Sequence, residues 1–156
     1  MLKARLFSGI GALLLVAAAT LAVSPASAAD GKEPPACAAI SFRPVVGTPP
    51  DGEQDSGLYK SRFVKIELKA TVNAGLATNY YLLINGKKAE GVATPPKGAE
   101  GCLKAKVHAA PVKTQSATAC TGNRFRVVIY RGGKDKTALL FGLQGNDWLF
   151  CSGSKI

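Results

Sequence analysis

The sequence predicts one all-β domain, a small antiparallel sandwich or barrel of about six to eight strands with one short helix and two disulfides. Three observations carry this expectation. Apolar and polar residues alternate with period two in several short stretches. Gly/Asn turn signals separate those stretches at intervals of about 8–12 residues. Four cysteines, an even number, are spread along the chain with no Cys-x-x-Cys pair among them.

The first stretch of the 156-residue chain reads as an export signal. Lys3 and Arg5 form a basic start, Ile10 to Val23 is an apolar run, and Ser24-Pro25-Ala26-Ser27-Ala28 offers small residues where a signal peptidase reads. The run is shorter than the ~20 apolar residues of a membrane span. Residues 1–28 are therefore expected to be cleaved, 29–36 to be a polar, Pro-rich leader, and 37–156 to be the domain. No later stretch is apolar enough to span a bilayer. The expected location is periplasmic or secreted. Cleavage removes Lys3 and Arg5, so the net charge falls from +10 to +8.

Cys37, Cys102, Cys120 and Cys151 all lie in the exported part, where an oxidising compartment favours two disulfides. The expected pairing is nested: Cys37–Cys151 joins the two ends of the domain, and Cys102–Cys120 clips the Ala- and Pro-rich segment between them.

The strands are expected in the following order. Residues 38–46 place Ile40 and Phe42 on one face, and Pro44 marks the strand's end. Residues 47–57 read as a loop, with Pro49-Pro50-Asp51-Gly52 as its turn. Residues 58–72 form the clearest strand, where Val64, Ile66, Leu68 and Ala70 alternate with Lys65, Glu67, Lys69 and Thr71. Residues 79–90 form a hairpin around Asn85-Gly86, because both central turn positions need φ > 0. Residues 91–122 are poor in large apolar side chains, and a short helix is expected over 99–107. Residues 124–151 form a three-strand meander with turns at Gly132-Gly133 and Gly145-Asn146.

Catalytic chemistry finds little support. His108 is the only imidazole and lies in the segment poorest in structure signals, so a surface role is the simpler reading. Asp51, Asp135 and Asp147 are accounted for by turn chemistry. No spacing fits a phosphate loop, a calcium loop or a thiolate metal site, and neither metal nor cofactor is expected. Basic residues concentrate in the second half, with eleven bases against three acids between Lys87 and Lys136. Lys87, Lys88, Arg124, Arg126, Lys134 and Lys136 are the expected contacts to an anionic partner, and Tyr80 and Tyr81 the expected aromatic contacts. The export signal argues against a nucleic-acid partner.

The expected function is thus a non-catalytic binding module of the cell envelope, contacting an anionic lipid or glycan or an acidic envelope protein. The alternatives are an accessory subunit or inhibitor of an envelope enzyme, and a small hydrolase acting on cell-wall polymer.

Overall fold

Two antiparallel sheets of four strands each pack face to face, and one helix covers the far side of one of them. This computed structural model describes residues 36–89, 91–108, 120–132 and 134–156. The predicted signal peptide, and all of the predicted leader except Ala36, lie outside the described residues.

The elements in chain order are β1 (Cys37–Phe42), β2 (Gly52–Lys60), β3 (Lys65–Asn73), β4 (Leu76–Ile84), β5 (Lys87–Lys88), α1 (Glu100–Val107), β6 (Phe125–Gly132), β7 (Asp135–Gln144) and β8 (Asp147–Lys155). One sheet has the order β1-β6-β7-β8 and the other β2-β3-β4-β5. Each is a meander of sequence neighbours, except that β1 leaves its neighbour β2 and pairs with β6. The all-β, two-disulfide fold expected from the sequence is what the structure shows.

The main core lies between the sheets. Ile66, Leu68 and Ala70 of β3 and Tyr80, Leu82 and Ile84 of β4 face Phe125, Val127 and Ile129 of β6 and Ala138 and Leu140 of β7. The Tyr80 and Phe125 rings meet across this gap with centroids 4.2 Å apart. The other face of the β6–β7 pair is also buried. Val128, Leu139 and Phe141 lie under Leu103 and Val107 of α1, with Phe150 of β8 beside them. This double burial explains the unbroken apolar run Ala138-Leu139-Leu140-Phe141, since a strand covered on both faces has no wet side. Among the described residues no helix covers the outer face of β2–β5, which keeps the alternation that the sequence displays.

Several boundaries differ from expectation. The predicted loop 47–57 contains most of β2, which begins at Gly52. Its Glu53, Gln54 and Asp55 carry no apolar alternation, and the strand is held by backbone pairing to β3. The pairing shifts between Asp55 and Gly57, a bulge that further blurs the period. The predicted single strand 58–72 is two strands joined by a turn at 61–64. β1 stops at Phe42, short of the expected 46, and β8 runs past Cys151 to Lys155. The helix forms where expected. It ends at His108, whose φ of 51° lies in the left-handed region and whose N–H closes on the Lys104 carbonyl at 3.1 Å.

The cysteine pairing is also corrected. The bonds are Cys37–Cys102 and Cys120–Cys151. β1 and β8 are the two edges of one sheet, three strand spacings or about 14 Å apart, and Cys37 is level with Lys155 rather than with Cys151, so the two cysteines are farther apart still. A disulfide needs Cα atoms within about 7 Å. Instead, Cys37 ties the edge strand β1 to the first turn of α1, and Cys120 ties the segment entering β6 to β8.

Candidate functional site

Three turns gather at one end of the sandwich: 61–64 between β2 and β3, Asn85-Gly86 between β4 and β5, and the reversal between β6 and β7. Asn85 joins the first two. Its N–H donates to the Lys65 carbonyl at 2.8 Å, and its Oδ1 accepts from the Lys65 N–H at 2.9 Å. Asn85 and Gly86 have φ of 50° and 81°, the conformation that makes Asn-Gly the preferred pair here. Lys136, just after the third turn, places its ammonium 5.8 Å from the Phe63 ring centroid and so joins the two sheets.

Local chemistry sets the 61–64 turn. Ser61 Oγ accepts from the N–H groups of Phe63 and Val64 at 3.2 and 3.1 Å, and the Ser61 N–H donates to the Val64 carbonyl at 2.9 Å. Val64 is buried and anchors the turn in the core. Phe63 points outward and is 44% exposed. The Arg62 guanidinium lies 5.0 Å from its ring centroid.

This end is strongly cationic. Lys60, Arg62, Lys87 and Lys134 are exposed there, with Lys65 and Lys136 partly so. Lys60 lies directly across from Lys65, and Arg131 across from Lys136. The two registers thus bring basic side chains together at this end. Among the described residues, the acids nearby are Asp135 and Glu67, the latter 2.9 Å from the Lys65 ammonium.

The predicted cationic residues divide between places. Lys87, Lys134 and Lys136 meet at this end. Lys88 turns onto the outer face of β2–β5, with its ammonium 4.8 Å from the Tyr81 ring centroid. Arg126 lies toward the opposite end, about 17 Å down β6 from Arg131, and Arg124 just beyond it, before the strand begins. There Arg126 donates to the Lys106 carbonyl at the end of α1 and sits 4.6 Å from the Trp148 ring centroid. The two predicted aromatic contacts also part, because neighbours on a strand face opposite ways. Tyr80 is 3% exposed and packs in the core, and its hydroxyl accepts from the Val45 N–H at 3.1 Å. Burial raises its pKa. Tyr81 faces out.

The outer face around Tyr81 neutralises itself. The Lys69 ammonium lies 2.5 Å from Asp55 and 3.4 Å from Glu53, and the Tyr81 hydroxyl donates to Glu53. Asp55 and then Glu53 raise the Lys69 pKa, while the Tyr81 hydrogen bond and Lys69 lower that of Glu53. The Tyr81 phenol is pushed up to about 12, first by burial and then by Glu53. Glu53 and Asp55 share one lysine on an open sheet face, which is not the arrangement of two acids across a cleft.

On the helix side of the cationic end, a cavity of about 610 Å³ is lined by Val92, Pro96, Lys97, Tyr130, Thr137 and Lys155, among others. Thr137 Oγ1 is buried there with no hydrogen-bond partner among the described residues. Among the described residues, no group of three or more His, Cys, Asp or Glu side chains could hold a metal ion, and no helix is long and apolar enough to cross a membrane. The two disulfides fit an oxidising, extracytoplasmic compartment.

Sequence reasoning did not find Lys60, Arg62 and Phe63. Their signal was the segment Lys60-Ser61-Arg62-Phe63-Val64-Lys65, which a single long strand absorbed and a Ser-initiated turn exposes. Comparison of the chain with protein-family models, curated proteins and solved structures found no match.

Proposed function

We propose that this chain is an exported, non-catalytic binding module that holds an anionic component of the cell envelope at the cationic end of its sandwich. One observation carries the reading: exposed Lys60, Arg62, Lys87 and Lys134 cluster at three adjacent turns. An anion bound there gains charge-assisted contacts from these exposed side chains.

The test is binding of the oxidised chain from residue 29 to envelope fractions across a salt series, with the Lys87→Glu/Lys134→Glu variant beside it. Binding should weaken as salt rises, because exposed charges are screened beyond about 10 Å at 0.1 M ionic strength. The variant should bind less and show a flatter salt dependence. Equal binding by parent and variant would remove this end as the contact. A docking surface built on Tyr80 and Tyr81 together finds no support, since the Tyr80 ring belongs to the core.

A further inference from the structure

We infer that the anionic component is the headgroup layer of a lipid bilayer, which Phe63 enters while the neighbouring cations hold lipid phosphates. This rests on the proposed binding at the cationic end and names its partner. Phe63 stands on a turn at the end of the molecule. An exposed apolar ring alone is common on soluble proteins. This one differs in its setting. Ser61 and buried Val64 hold its turn in one conformation, so little order has to be gained on docking. Arg62 stands exposed on the same turn, and Lys87 and Lys134 stand exposed at the two neighbouring turns. An apolar tip with cations beside it matches an anionic bilayer, where charge draws the surface close and the ring leaves water at the acyl boundary. A glycan fits less well. Sugars stack on aromatic faces, and here Arg62 and Lys136 already lie against the Phe63 ring.

The experiment uses the oxidised chain from residue 29, since both sheets and both disulfides lie beyond the predicted cleavage point. Sedimentation is measured with phosphatidylcholine vesicles, with vesicles of phosphatidylcholine and phosphatidylglycerol, and in parallel against soluble polyphosphate. The chain should sediment with the phosphatidylglycerol vesicles and not with phosphatidylcholine alone. Phe63→Ala should weaken vesicle binding roughly tenfold and leave polyphosphate binding unchanged. Arg62→Glu should weaken both, by about fivefold or more. In a Trp148→Phe background, the emission of Phe63→Trp should shift to the blue on the anionic vesicles. Equal vesicle affinity for Phe63→Ala and the parent, or an unmoved emission, overturns the bilayer assignment. Polyphosphate binding without vesicle binding overturns it too, while the proposed contact with an anion survives. Failure with both probes removes the proposed function and this inference together.

Discussion

At Gly57, one added carbon decides whether β2 can lie where it does. A Cβ there would overlap the Phe42 ring, which is buried against the facing sheet and has little room to give. Gly57→Ala should therefore destabilise the fold by about 1–3 kcal/mol, read as a lower denaturant midpoint at unchanged slope. Tyr81 offers a test of the outer face. Its phenol has a folded pKa of about 12 against the ordinary 10.0, so the fold favours the protonated form. That contribution is fully present below pH 10 and is lost as pH rises toward 12. In a tyrosinate absorbance titration, Tyr81→Phe should remove a step near pH 12. Glu53 works in the opposite sense. Its lowered pKa contributes stability above the ordinary carboxylate range, lost as pH falls through the lowered value. Of the sequence-selected tyrosines, Tyr81 was legible as outward-facing only once its strand's phase was known, because Tyr80 and Tyr81 are both plausible on either face.

The element that depends most on a single bond is α1. It has eight residues and no side-chain cap on its first turn, too few to be stable alone. Leu103 and Val107 hold it to the sheet, and the Cys37–Cys102 bond ties its first turn to β1. The closed loop spans a sequence separation of 65, worth about 4 kcal/mol in the chain-entropy model. A Cys37→Ala/Cys102→Ala variant should lose stability of that order, and non-reducing peptide mapping of the parent should recover the pairs 37–102 and 120–151. Recovery of the nested pairs would contradict the strand order, since β1 and β8 would then have to be neighbours. The helix itself was legible from residues 99–107, and so were the Asn85-Gly86 turn and the meander. β2 was not. A strand whose outward residues are acids and whose period is broken by a bulge looks like a loop until its backbone partner is known.

For the whole molecule, the excess positive charge is resolved into places. Arg126 is engaged by the helix end and Trp148, and Lys69 by Glu53 and Asp55, whereas the turns around Phe63 carry exposed cations with few acids among the described residues. This separates a local contact from a mere effect of net charge. Lys87→Glu/Lys134→Glu and Arg124→Glu/Lys106→Glu change the net charge equally, at opposite ends. Binding to envelope fractions should fall for the first pair and change little for the second. Equal losses would mean that only net charge matters. The salt slope should flatten for the first pair alone.

The fold class, the positions of most strands, the short helix and the need for two disulfides can be read from consecutive residues. Those properties rest on side-chain period and turn chemistry, which are local and therefore written in consecutive residues. Strand order, cysteine pairing, the separation of Tyr80 from Tyr81, and the meeting of Lys60, Arg62, Phe63, Lys87 and Lys134 were decided by the tertiary structure. Each depends on which strands become neighbours and on which face a strand turns inward. A one-residue change of register reverses every side chain on a strand, and no local pattern records which edge of a sheet will stand beside which.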